Sequence, residues 1–366
     1  MPDTEPMSTD PSSSHGRYRL TRTNIVFGVF GLFSVVLVAL LLWWSDTAPA
    51  RYAVMPCQYN AIFETAGPVG AVVLGSSRVQ RAVSPPVLSA DLAAAGRPDN
   101  VINLARGGRG PEQLYQMLLD VDRQRGLQGP IIVEYSPQDT AFWRNTPLYY
   151  QTYPGFGANA EFSSLAEDWR AKPREPAYSR LRDLFGLLEY RLDAAIENST
   201  NGKAGRNRVL AAAEREHSPT AWCVTKDLTA QSAGQRNQLR RAYAKAVRAY
   251  GTDPTPGDVP PVPSQLQVIN QDAQNHYLDL IISLAKRRGV PVYPIVVPGF
   301  FEPAPSPATF TEFKARFGIP LLYPDSQELA AYGDTTRFID AFHLNLTGSE
   351  AYTDWLASII VQAPTS

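Results

Sequence analysis

Ala71-Val72-Val73-Leu74-Gly75-Ser76-Ser77-Arg78-Val79 is the stretch on which the reading of this chain turns. Four apolar residues, two of them β-branched, suit a strand buried on both faces. Gly75 then permits a tight turn, and a helix opening just beyond it brings backbone N–H groups and a positive dipole end to that turn. A serine there is well placed for a nucleophile. Serine is also one of the best helix caps, and the segment taken alone favours that plainer role.

Similar apolar runs bounded by turn residues recur at 100–104, 130–135, 290–297 and 319–323. Between them lie helical patterns: 112–124 with Leu114, Met117, Leu118 and Val121; 270–288 with Tyr277, Leu280, Ile281 and Leu284; and 349–361 with Tyr352, Trp355, Leu356 and Ile359. Strands alternating with helices predict an α/β protein, a three-layer open parallel sheet with helices on both faces. Ligands bind such sheets beyond the carboxyl ends of the strands. The alternation breaks at 140–263, where aromatic loops (Phe142, Trp143, Tyr149, Tyr150, Tyr153) precede charged helical stretches at 178–197 and 235–250. This is too long for one loop and reads as a helical insertion. Prolines, 31 in all, cluster at 253–263 and 294–307 and mark further loops.

Composition narrows the class. The chain has 366 residues, 44% of them hydrophobic, and a formal net charge of −1, so a real core is expected and no global field points to nucleic acid. Residues 25–44 form an uncharged apolar run ending in Trp43-Trp44, long enough to cross a hydrocarbon core of ~30 Å. Arg17, Arg19 and Arg22 precede it, which places the N-terminus in the cytoplasm. The expected organisation is a disordered cytoplasmic tail (1–23), a single transmembrane helix (24–45) and an extracytoplasmic domain (46–366). A cleaved signal peptide ending near Ala48-Pro49-Ala50 is the rival, but signal cores are usually shorter. In that compartment Cys57 and Cys223 would either pair as a disulfide or stay buried thiols. No Cys or His spacing suggests a metal site, and no cofactor is implied.

Near the C-terminus stands Phe338-Ile339-Asp340-Ala341-Phe342-His343-Leu344-Asn345, ahead of the last helical pattern. Of the four histidines, His343 alone has an aspartate three residues before it. A serine nucleophile needs a base, and the base needs an acceptor that fixes its tautomer. Asp340 and His343 supply both within one turn.

Taken together, Gly75-Ser76-Ser77 and Asp340-Ala341-Phe342-His343 resemble the SGNH (GDSL-type) hydrolase family, whose first strand ends in Gly-Asp-Ser and whose last motif is Asp-x-x-His. The Gly-Ser-Ser variant is similar to the membrane-anchored cell-envelope branch that includes teichoic acid D-alanylation and alginate-type O-acetylation components. The resemblance covers most of 71–361 outside the insertion. It implies an SGNH/flavodoxin-like fold, with Ser77 as nucleophile, His343 as general base and acid, and Asp340 as its orienting carboxylate. It also implies an oxyanion hole from the Ser77 backbone, a glycine and an asparagine. Gly107 or Gly108 fits the glycine. No asparagine ends the 130–135 run; Gln138, or Ser136, stands nearby instead. Arg78, Arg106 and Arg109 gather near one strand edge and would line an anionic substrate site, or else be solvated or paired with Glu134 or Asp139.

The function implied is a membrane-anchored serine acyltransferase or esterase acting on acyl esters, acetyl above all, of an envelope glycan, periplasmic or extracellular and fed by an integral membrane acyl-transfer partner. The missing asparagine and the long insertion keep an alternative open: a non-catalytic SGNH-like scaffold of an envelope biosynthesis complex. A glycan-binding role through 142–153 is a third.

Overall fold

The computed structural model describes residues 66–106, 110–136, 265–299, 304–330, 335–340 and 342–363, with scattered positions elsewhere. Strand β1 (Ala71–Leu74) is followed by helices α1 (Ser77–Ala82) and α2 (Pro85–Ala94), then β2 (Val101–Asn103), α3 (Pro111–Gln124) and β3 (Ile131–Glu134). Helix α4 (Gln265–Arg288), β4 (Val292–Ile295), α5 (Pro307–Phe317), the short α6 (Ser326–Ala330), a 3₁₀ turn (Thr335–Arg337) and α7 (Leu346–Gln362) complete the order. The strands form one sheet in the order β2-β1-β3-β4, and every pair is parallel. The expected class, an α/β open parallel sheet, is what the chain builds.

Alternate strand residues serve opposite faces, as the two-residue period of a pleated strand requires. Val72, Leu74, Ile102, Ile131 and Val133 pack with α3, α4 and α5 through Met117, Leu118, Ile281 and Phe313. Ala71, Val73, Val101, Ile132 and Ile295 pack on the other side with α1, α2 and α7 through Val79, Leu88, Tyr352 and Leu356. Both faces are covered, which explains why the strands read as continuous apolar runs. β1 and β3 are neighbours whose following helices lie on opposite faces, so the crevice beyond their carboxyl ends is a topological switch point.

The prolines act locally in ways the clusters do not convey. Pro85, Pro111 and Pro307 each open a helix, where the missing N–H has no intrahelical partner to lose. Ser306 caps α5 by accepting the Thr309 N–H, and Gly318 closes it in the left-handed region at φ 72°. Pro294 lies inside β4, where its carbonyl accepts the Leu322 N–H on the outer side. A residue's N–H and C=O point to the same side of a strand, so the missing donor also falls outward, where proline is tolerated. The expected strand at 319–323 is reduced to a single parallel bridge between Leu322 and Ile295.

Most of the proposed anchor at 24–45, Cys57, Cys223 and most of the 140–263 insertion lie outside the described residues. Among the described residues no helix is long and apolar enough to cross a membrane.

Candidate active site

The segment after β1 folds as a cap and a turn. Ser76 is extended (φ −82°, ψ −172°) and its hydroxyl accepts the Arg78 N–H at 3.1 Å, which makes Ser76 the N-cap of α1 and leaves Ser77 as its first residue. The capping role thus falls to Ser76, and the serine expected to act as nucleophile is the next residue. Gly75 is needed for a reason other than backbone freedom. A Cβ there would lie 2.7 Å from the Val79 Cβ and 2.8 Å from Glu134 Oε2, so only glycine allows this close approach. Glu134, the last residue of β3, accepts the Ser76 N–H through Oε2 at 2.5 Å.

The second half of the site is a tight loop ahead of α7. The Ile339 N–H donates to the His343 carbonyl (2.8 Å) and the Asn345 N–H to the Arg337 carbonyl (2.9 Å), while buried Phe338 and Leu344 form an antiparallel bridge. Asn345 caps α7 by accepting the Gly348 N–H at 3.0 Å. A Cβ at Gly348 would lie 2.3 Å from the Arg337 carbonyl oxygen, so this glycine too is fixed by close approach. Within the loop, one Asp340 oxygen accepts the backbone N–H groups of Phe342 (2.8 Å) and His343 (2.9 Å).

Helix α7 brings the loop to Ser77. The Thr353 hydroxyl accepts the Ser84 N–H at 2.9 Å, and the Tyr352 hydroxyl donates to the Val296 carbonyl at 3.1 Å. These bonds register α7 against both the α1–α2 junction and the end of β4. Ser77 Oγ then sits 2.8 Å from His343 Nε2, although 266 positions separate them in sequence. His343 Nδ1 lies 2.9 Å and 2.8 Å from the two Asp340 oxygens. With Asp340 ionised, Nδ1 carries the ring proton and Nε2 is left as the acceptor for the serine hydroxyl. Burial pushes the Asp340 carboxyl up, but the hydrogen bond from the His343 ring, the two backbone N–H groups and the charge of a protonated His343 together hold it below its ordinary value.

Ser77, Asp340 and His343, predicted separately, therefore meet in one hydrogen-bonded chain. The remaining expected residues distribute differently. Arg78 is only 5% exposed and its guanidinium donates to the Val297 carbonyl, so it braces α1 against the end of β4 and does not line an open anionic site. A helix-N-terminal cation is tolerated here because it reaches a backbone carbonyl across the sheet. The Arg106 N–H donates to the Gly75 carbonyl at 2.9 Å, carrying the β1–β2 ladder one step past the strands. The loop that follows therefore starts beside the Ser77 turn; Gly107, Gly108 and Arg109 on it lie outside the described residues, as does Gln138. Ser136 has its N–H and C=O paired with the side-chain amide of Gln274 at 3.0 and 3.3 Å, in the amide orientation that satisfies both. Its backbone is thus committed to α4. From the sequence, Glu134 is expected only as a partner for an arginine. The signal for a role at the turn was an acid ending an otherwise apolar strand.

Three of the N–H groups at the start of α1 can be assigned. Among the described residues, Glu134 takes the Ser76 N–H and the Ser76 hydroxyl takes the Arg78 N–H. The Ser77 N–H, at the first helical position, has no intrahelical acceptor and can stabilise an oxyanion formed at Ser77. No group of His, Cys, Asp and Glu that could hold a metal ion occurs among the described residues. Comparison with models of known protein families and with curated proteins gives no match.

Proposed function

We propose that the chain is a serine acyltransferase or esterase with an SGNH-like, flavodoxin-like domain, in which Ser77 attacks an ester carbonyl. The observation that carries this reading is the continuous Ser77 Oγ–His343 Nε2–Nδ1–Asp340 chain, with contacts of 2.8 Å at both ends of the ring. Ser77 passes its proton to Nε2 as Oγ bonds to the acyl carbon, and the Ser77 N–H stabilises the resulting oxyanion. Collapse breaks the carbon–oxygen bond to the alcohol, which leaves with the proton from Nε2. Water or a sugar hydroxyl then gives its proton to Nε2 and takes the acyl group, and Nε2 returns that proton to Ser77 Oγ as the ester bond to it breaks. Asp340 remains ionised throughout and holds the ring in the required tautomer. Gly107, Gly108 and Gln138 are the proposed co-donors to the oxyanion.

The substrate class follows from the motif resemblance and the apolar run at 25–44: acyl esters, chiefly acetyl, of an envelope glycan outside the cytoplasmic membrane. With the domain tethered there, a membrane partner would deliver the acyl group. The hydrogen-bond reach of Ser77 and His343 favours catalysis over the scaffold alternative, for which no comparable observation speaks.

A fluorophosphonate probe tests the reading. The full-length protein should be labelled at Ser77, as located by peptide mass spectrometry, and Ser77→Ala should abolish labelling while Ser76→Ala retains it. Loss of labelling in Ser76→Ala alone would move the nucleophile to Ser76. No labelling of any serine in the folded protein would favour the scaffold.

A further inference from the structure

We propose that Glu134 is a positioning residue for the nucleophile, acting from the end of β3 on the turn that carries Ser77. This deepens the catalytic reading and rests on it. Helices often complete their N-terminus with a capping box, in which an acid one turn into the helix reaches back to the N–H of the capping residue. Helix α1 has Gln80 four residues after its cap and no acid in its first turn. The half of the box that Ser76 supplies is present, since its hydroxyl accepts the Arg78 N–H. The other half comes from a different strand: Glu134 Oε2 accepts the Ser76 N–H at 2.5 Å across 58 residues of sequence.

Two further features tie this contact to the nucleophile. Glu134 Oε2 occupies the space a Cβ at Gly75 would need, so the glycine and the acid fit one another. β3 is also paired directly to β1, with Leu74 opposite Val133, so the carboxylate is held by the sheet and not by a mobile loop. The N–H just before the nucleophile is thereby satisfied and directed into the sheet edge. The Ser77 N–H remains for the oxyanion. Loss of the carboxylate frees the Ser76 N–H and loosens the Ser77 backbone, which carries both the attacking oxygen and that donor. The role needs an acceptor at this position, not a charge. Glutamine, whose side-chain oxygen accepts, should therefore substitute where alanine does not.

The test compares full-length wild type, Glu134→Ala and Glu134→Gln in detergent. Two quantities are read: the rate of Ser77 labelling by a fluorophosphonate, and hydrogen exchange of the peptide spanning 71–80. We expect Glu134→Ala to label roughly ten- to a hundredfold more slowly and Glu134→Gln to stay within about threefold of wild type. Exchange in the peptide should quicken in the alanine variant only. Equal labelling by all three, or an equal fall in both variants, overturns the proposal, the second because it points to charge. Should wild type itself not label, the catalytic reading fails and exchange alone decides. Faster exchange in Glu134→Ala than in Glu134→Gln upholds the positioning of the turn, and identical exchange in all three rejects it.

Discussion

Replacing Asp340 by asparagine changes one oxygen to an NH₂ group and, on this geometry, reverses the direction of the whole hydrogen-bond chain. One Asp340 oxygen already accepts two backbone N–H groups, from Phe342 and His343. The asparagine oxygen will keep that place, because turning it away strands two donors. Its NH₂ then faces His343 Nδ1, the position now 2.8 Å from the second carboxylate oxygen. Nδ1 must accept, the ring proton moves to Nε2, and Nε2 meets the Ser77 hydroxyl as a donor. The serine loses its base while the loop keeps its shape. A wrong tautomer of this kind costs about 10³- to 10⁴-fold in rate, or about 4 to 5.5 kcal/mol at the usual conversion. Asp340→Ala behaves differently: both backbone donors lose their acceptor, so the loop itself is weakened, at about 1 kcal/mol per bond. The assay is the fluorophosphonate labelling rate beside the melting temperature. Asp340→Asn should melt close to wild type and label at least a thousandfold more slowly, by the tautomer argument above. Asp340→Ala should melt lower. Labelling of Asp340→Asn within about threefold of wild type would refute the tautomer argument.

Two other expectations rest on the structure and one on the sequence. Because the folded pKa of Asp340 is depressed, its stabilisation is fully present above the ordinary value of 3.8 and disappears only as pH falls through the lower folded value; urea melts of wild type and Asp340→Asn should thus differ by a constant amount from about pH 5 to about pH 4 and converge below, and convergence already within that window would contradict the depression. Arg97 donates to the carbonyls of Ile360, Val361 and Ala363 at the end of α7, so Arg97→Ala should lower stability by about 1–3 kcal/mol by chemical denaturation while leaving the rate of Ser77 labelling unchanged. For the expected single crossing, a C-terminal alkaline phosphatase fusion should be active and a fluorescent protein that matures only in the cytoplasm should stay dark; the opposite pattern reverses the orientation.

Much of this architecture is legible in the sequence, and the reasons differ from element to element. β1, β2 and β3 are read within a residue or two because strands covered on both faces need continuous apolar runs. Helices α3, α4 and α7 show themselves through Leu114, Ile281 and Leu356, each on a helical stripe that meets the sheet. Helices α2 and α5 do not stand out. Pro85-Pro86 and Pro307 resemble loop punctuation in a string of letters, and only the structure shows them at helix starts. The triad was legible because a motif pairs Asp340 with His343 at a fixed spacing. Its closure on Ser77 was not, since it depends on how α7 lies against α1, which Thr353 and Tyr352 settle through hydrogen bonds to residues far away in the chain. Arg78 misleads for a related reason: charge is visible in a sequence, whereas burial beneath a neighbouring strand end is not. Glu134 shows the converse, an acid whose importance arises only once β3 lies beside β1.

The pairing of Tyr135 and Ser136 with the start of α4 has a consequence for how such a domain can be remade. The Gln271 amide donates to the Tyr135 hydroxyl at 2.7 Å, and Gln274 pairs with the Ser136 backbone. The chain thus departs from the sheet and re-enters it at two points that are fastened together, both on the edge that carries Ser77. Described residues of the segment between them pack on α4, with Glu167 2.6 Å from His276 and Ala171 buried against Ala273 and Tyr277, so a replacement segment must keep those contacts. Such a replacement exchanges a cassette whose ends the fold already clamps.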